Sequence, residues 1–194
     1  VSTNGRDFTS GGAHFEAVRA LMRSVVPLAG PQSGGTLLTI SGSSLGSLGA
    51  VRCRFDVRES DASPLETGAS AGAPDRIHCL SPASSELGWL SVELSSFGTT
   101  LDAGGSFYVH PRMMVSAVVP AAGPVAGGTR VALLGSGFRE TTALYCRFEG
   151  SGATVAARHV GARQIECAAP PSSGAGSRAV EVTMNGQQFS SSGV

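Results

Sequence analysis

The sequence predicts an all-β protein built from tandem β-sandwich units. First, it repeats itself. At an offset of 93, VVPLAGPQSGGTLLTISGSSL (Val25–Leu45) falls on VVPAAGPVAGGTRVALLGSGF (Val118–Phe138), with 11 of 21 positions identical and no gap. Cys53-Arg54-Phe55 falls on Cys146-Arg147-Phe148 at the same offset. The offset then drops to 88: Ile77-His78-Cys79 meets Ile165-Glu166-Cys167, and Val92-Glu93 meets Val180-Glu181. Second, apolar residues sit in short runs that alternate with polar ones, the period of half-buried antiparallel strands. Third, glycine, proline and Asn-Gly pairs punctuate those runs as turns do. A repeat near ninety residues suits a sandwich unit.

Taken in order, the chain opens on a fragment. Val1, Asn4, Gly5, Phe8, Ser10 and Gly12 recur as Val182, Asn185, Gly186, Phe189, Ser191 and Gly193. Residues 1–17 therefore read as the last strands of a preceding copy. The segment Ala13–Met22 (AHFEAVRALM) is helical by propensity. The repeat instead assigns Phe15 to a closing strand and the rest to a linker, and isolated short helices are marginal.

The first full unit spans residues 18–110. Pro27, Gly30 and Gly34-Gly35 form its opening turn, where glycine permits backbone angles closed to other residues. Leu38 and Ile40 then point one way and Thr39 the other; Val51, Cys53 and Phe55 alternate with Arg52 and Arg54. The polar stretch Val57–Arg76 holds five residues that the second copy lacks, and reads as a surface loop. Leu90, Val92 and Leu94 form another strand, Phe97-Gly98 a hairpin turn, and Phe107-Tyr108-Val109 the final strand.

The second unit, residues 111–194, repeats the plan with Pro120, Gly123 and Gly127-Gly128 in its opening turn. Val131 and Leu133, then Leu144, Cys146 and Phe148, then Val180 and Val182 are its inward positions. Asn185-Gly186, like Asn4-Gly5, is expected in a type I′ turn, which needs positive φ at both central residues. This unit stops before the counterpart of the final strand, so the fragment Val1–Phe15 could complete the second unit of another chain by strand addition. Linkers are expected over Phe15–Ser24 and Val109–Ala117, short enough to keep neighbouring units near contact.

Composition narrows the function. The formal net charge is zero and no basic cluster stands out among the 14 arginines, which argues against a nucleic-acid or anionic-membrane partner. No run approaches the ~20 apolar residues that a membrane-spanning helix needs.

The ordered set V-V-P-x-x-G-P-x-x-G-G-T, a strand ending in glycine, C-x-F, then I-x-C with a following proline resembles the IPT/TIG family. Two copies cover residues 18–194 and a fragment of a third covers residues 1–17. The resemblance implies early-set immunoglobulin-like β-sandwiches, of the branch found in plexin and fibrocystin-like ectodomains. It implies structural roles for Pro27, Gly30, Gly34, Gly35, Pro120, Gly123, Gly127 and Gly128, and carries no catalytic residue, cofactor or metal. The positions of Cys53, Cys79, Cys146 and Cys167 match the cysteines of that family. Four cysteines allow three pairings. One pair per copy at the same phase makes Cys53–Cys79 and Cys146–Cys167 the economical choice; buried free thiols in a reducing compartment are the alternative.

Other motifs carry less. Gly42-Ser43-Ser44-Leu45-Gly46 satisfies G-x-S-x-G, but a nucleophile elbow needs a following helix, and here a strand follows. Gly123–Thr129 lacks the lysine of a P-loop. His14, His78, His110 and His159 are scattered without metal-ligand spacing. Trp89, whose counterpart is Ser177, falls on the outer face of its strand and is a candidate interface residue.

The expected function is a non-enzymatic structural or adhesive segment of a larger cell-surface or secreted protein. It would serve as spacer, interaction surface or filament-forming module, with neighbouring repeats or other protein chains as partners. An intracellular ciliary or flagellar scaffold with free thiols is one alternative, an accessory sandwich of a secreted enzyme another.

Overall fold

The computed structural model describes residues 1–8, 10–11, 17, 19–46, 49–57, 63–152 and 154–191. The closing strand expected at Phe15 lies outside these residues, as does much of the expected helix-or-linker segment. Among these residues all regular elements are strands.

The first domain contains β1 (Leu21–Val26), β2 (Ala29–Pro31), β3 (Leu37–Ser43), β4 (Val51–Val57), β5 (Leu65–Ala73), β6 (Arg76–Leu80), β7 (Gly88–Ser96) and β8 (Thr99–His110). Their order along the sheet is β1-β3-β6-β5-β4-β7-β8-β2. This is a sandwich joined at one strand. The first half of β5 pairs with β4, Phe55 opposite Leu65, and its second half pairs with β6, Ala69 opposite Cys79. The β5 strand falls inside the stretch read from sequence as a surface loop, which corrects that reading. Its Gly-Ala-Ser-Ala-Gly-Ala composition hides the strand, because small side chains on an edge crossing between two sheets give no apolar alternation.

The second domain contains β9 (Met114–Val119), β10 (Arg130–Ser136), β11 (Tyr145–Phe148), β12 (Thr154–Ala156), β13 (Arg158–Gly161), β14 (Gln164–Ala168) and β15 (Val180–Thr183). One sheet runs β13-β14-β10-β9 and the other β12-β11-β15. The crossing strand is here split in two, as β12 and β13, with Ala157 between them. Val26–Pro27 and Val119–Pro120, at equivalent positions, are both cis.

Each domain has its own core. The first is built on Val25, Leu38, Ile40, Phe55, Val92, Leu94 and Phe107, the second on Val115, Leu133, Phe138, Phe148, Ile165 and Val182. At ~25 cal/mol per Å² of apolar surface buried, such clusters supply the main folding drive. Cys53 of β4 is bonded to Cys79 of β6, and Cys146 of β11 to Cys167 of β14, with Cα atoms 6.3 and 6.5 Å apart. Each bridge crosses from one sheet to the other through the core.

The strands extend beyond the expected ends. The connection between the domains is not Val109–Ala117 but only Pro111, Arg112 and Met113, and the last of these is buried in the second core. Leu21–Ser24, placed in a linker from sequence, lies in β1. In β1 the backbone pairs through residues whose side chains do not alternate, a gain in hydrogen bonds that sequence patterning does not register.

Candidate functional site: the joint between the domains

The short connection brings the β15 hairpin turn of the second domain onto the opening turn of the first. The turn is shaped by its own side chains. Asn185 Oδ1 accepts from the backbone N–H groups of Gln187 (3.0 Å) and Gln188 (3.1 Å), and Thr183 Oγ1 donates to it at 3.2 Å. Gly186 supplies the left-handed residue, φ 74°. Asn185 itself is not at positive φ, so this is an Asx turn and not the expected type I′ turn. The Asn side chain, which can mimic a backbone turn, wins over the left-handed backbone that Asn only tolerates. The pair with positive φ at both positions is Phe97 (49°) and Gly98 (79°) in the first domain.

The residues near the start of the chain form the same turn. Asn4 Oδ1 accepts from Arg6 N–H and Asp7 N–H, both at 2.9 Å, and Ser2 Oγ donates to it at 3.1 Å. Asn4 Nδ2 bonds Asp7 as Asn185 Nδ2 bonds Gln188 Oε1, at 2.7 and 2.6 Å. Gly5, at φ 71°, stands where Gly186 does.

The Asn185 turn is clamped to the first domain by amides. Gln187 reads one backbone residue with both ends of its side chain: its Oε1 accepts from Leu37 N–H at 2.8 Å and its Nε2 donates to the Leu37 carbonyl at 2.9 Å. Gln188 Nε2 donates to the Gly35 carbonyl (2.9 Å), and Thr36 Oγ1 donates to Gln188 Oε1 (3.1 Å). Asn185 Nδ2 reaches the Ala29 carbonyl at 3.3 Å and Thr36 Oγ1 at 3.4 Å. Asn185 and Thr36 are both buried. Buried polar groups of this kind must be paired, and here the partner domain pairs them.

The opening turn can receive the hairpin because of its glycines. Gly34 and Gly35 lie at φ 72° and 78°, as Gly127 and Gly128 do at 77° and 82° in the second domain. A Cβ on Gly30 would collide with Thr36 Oγ1 and with Cζ of Phe107. Gly30 and Pro31 pair in parallel with Val109 and His110 of β8, so Pro27, Gly30 and the glycine pair together carry the end of the domain that meets its neighbour. Pro120 and Gly123 hold the corresponding places in the second domain, where they line a cleft.

A second contact lies beside the clamp. Trp89, 48% exposed, stacks edge-on against Tyr108 with ring centroids 5.3 Å apart. The Arg139 guanidinium, from the second domain, lies 3.9 Å over the Tyr108 ring. Such cation–π contacts contribute ~0.5–1 kcal/mol at exposed sites. Trp89 thus supports the aromatic that the neighbouring domain touches. His110 closes the joint at the end of β8. It is buried, its Nδ1 bonds the Pro111 carbonyl at 2.8 Å, and its Nε2 has no hydrogen-bond partner. Burial holds its pKa below the ordinary imidazole value, against the smaller opposing effect of the Pro111 bond.

Gln187, Gln188 and Arg139 were not singled out from sequence, and Tyr108 and His110 were named only as a final-strand residue and a scattered histidine. A signal existed: the turn reads Asn-Gly-Gln-Gln in one copy and Phe-Gly-Thr-Thr in the other, a divergence expected where two turns face different neighbours.

Ser44 of the G-x-S-x-G run lies at φ 57° but is followed by strand β4, and no triad partner meets it among the described contacts. Among the described residues no group of three or more His, Cys, Asp or Glu could hold a metal ion, and no helix is long and apolar enough to cross a membrane.

Comparison with known proteins agrees with the fold. The IPT/TIG domain family matches residues 20–108 and again 113–194. Human Plexin-B1 is 34% identical over 128 residues, 60% of this chain but only 5% of Plexin-B1. Two structures of the Plexin A4 extracellular region share the fold at 18% identity, with TM-scores of 0.59 and 0.52. They match 87% and 97% of this chain, and 15% and 19% of theirs.

Proposed function

The chain belongs to the IPT/TIG domain family, and from that premise we propose that it is a non-enzymatic spacer and interaction segment of a larger cell-surface or secreted protein. The observation that carries this reading is the joint. Two sandwiches separated by three residues, Pro111–Met113, are clamped by side-chain amides, so their relative orientation is held by bonds and not left to a linker. The likeness to plexin extracellular regions and the two bridges across the cores support an oxidising, extracellular setting.

The unit boundaries follow the same logic: residues 18–110 and 111–194 are two repeats, and residues 1–17 end a preceding one. The Asn4 turn, bonded as the Asn185 turn is, supports the last assignment. Neighbouring repeats and other protein chains are the partners. The glycines and prolines of the opening turns act by shaping the surface on which the next turn sits.

An antibody raised against the chain should label intact, unpermeabilised cells of the source, and non-reducing peptide mass spectrometry should find Cys53–Cys79 and Cys146–Cys167. Labelling only after permeabilisation, with four free thiols, would overturn the extracellular reading in favour of an intracellular scaffold.

A further inference from the structure

The chain contains two asparagines, Asn4 and Asn185, and glycine follows each. Asparagine before glycine deamidates readily, because a following residue without a Cβ leaves its backbone nitrogen unshielded. That nitrogen attacks the asparagine Cγ. A C–N bond forms, the Cγ–Nδ2 bond breaks and ammonia leaves, giving a cyclic imide. Water then opens the ring to aspartate or isoaspartate. Nothing is oxidised or reduced, and solvent water is the only co-reactant.

At Asn185 the docked joint opposes each step. The attacking nitrogen would be that of Gly186, whose N–H donates to Thr183 Oγ1 at 2.9 Å. Oδ1 accepts from the N–H groups of Gln187 and Gln188, which holds the side chain in one orientation. The leaving group, Nδ2, donates to Gln188 Oε1 at 2.6 Å and reaches the Ala29 carbonyl and Thr36 Oγ1. Asn185 is 7% exposed, which keeps hydrolytic water away. Ala29 and Thr36 belong to the first domain, so this protection depends on docking.

The product undoes the contact that protected the reactant. Aspartate keeps Oδ1 as an acceptor, so the turn still forms. A carboxylate has no N–H to give to Ala29, Thr36 or Gln188. It also sets negative charge against the Ala29 carbonyl oxygen and Gln188 Oε1 at a buried place, which is costly. Isoaspartate lengthens the main chain by a carbon atom and carries Gln187 and Gln188 away from Leu37 and Gly35.

We propose that Asn185-Gly186 is a deamidation site gated by docking of the two domains, and that its conversion is a one-way release of the joint. Opening exposes the pair to reaction, and reaction prevents closing. The inference rests on the reading of the joint as the element that fixes the orientation of neighbouring units. The corresponding turn of the first domain, Phe97-Gly98, has no side-chain amide and cannot react in this way.

An Asn4→Gln background leaves Asn185 as the sole asparagine. Intact mass spectrometry and ion exchange then follow loss of ammonia and gain of a negative charge at neutral pH. Conversion should be at least ~10-fold slower in the folded chain than in the peptide of residues 182–189, because it waits on local opening. Gln187→Ala removes two bonds to Leu37 without touching the Asn185 side chain. It should speed conversion about 5-fold in the chain and leave the peptide unchanged. In Asn185→Asp, residual dipolar couplings should require two alignments where the unconverted chain requires one, with both cores intact. Equal rates in chain and peptide, no acceleration by Gln187→Ala, or a single alignment in Asn185→Asp would each overturn the proposal. Two alignments in the unconverted chain would instead overturn the reading of a fixed joint, and the release with it.

Discussion

Replacing Gln187 and Gln188 together by alanine removes four hydrogen bonds that cross the joint while leaving both cores intact. A neutral hydrogen bond contributes ~0.5–1.5 kcal/mol net. These lie at a partly exposed surface, where water replaces them readily, so the lower end applies and the set is worth ~2 kcal/mol. At tenfold per 1.4 kcal/mol, the docked-to-undocked ratio of the domains falls about thirty-fold. The Asn185 turn should persist, since its bonds to the Gln187 and Gln188 backbone need no Gln side chain. NMR residual dipolar couplings report the relative alignment of the two domains, and small-angle scattering reports the spread of separations. In the wild type one alignment should fit both domains. In the Q187A/Q188A chain the two should separate, with a broader distance distribution and nearly unchanged cores. Identical couplings in both proteins would refute the argument that amides hold the joint.

Further outcomes follow from other sites. His110→Phe should flatten a pH dependence: because burial lowers the folded pKa, the unfolded chain takes up the proton first as pH falls below the ordinary value near 6.5. The stabilising effect of neutral His110 is therefore present above that value and lost progressively below it, which thermal melts between pH 7.5 and 5 would show. Gly30→Ala drives a methyl group into Thr36 and Phe107 and should cost ~1–3 kcal/mol. Gly123→Ala has its nearest contacts on the Thr129 side chain and should cost less, as denaturant melts of the two variants would show. The double replacement Cys146→Ala/Cys167→Ala opens a loop of sequence separation 21 and should lower the stability of the second domain by ~3 kcal/mol, measured in the same way.

Much of the architecture could be read directly. Period-2 runs such as Val51-Cys53-Phe55 are local, and a strand that is apolar on one face can only bury that face. The repeat then turned each local reading into two. What failed were positions where local signals are weak or ambiguous. The β5 strand is built from small residues and straddles both sheets, so neither alternation nor branching marks it. Asn-Gly admits both a type I′ turn and an Asx turn, and the choice fell to side-chain bonds with Thr183, Gln187 and Gln188.

By itself, then, the sequence determined the all-β class, the family, the repeat of its motifs and the phase of each cysteine. All of these rest on spacing along one chain. The tertiary structure alone decided which polar residues meet across the joint. Gln187 and Leu37 lie 150 positions apart, and nothing local in either residue names the other. Their contact depends on how two finished cores are set by the three residues between them, a geometry that exists only once both domains have folded.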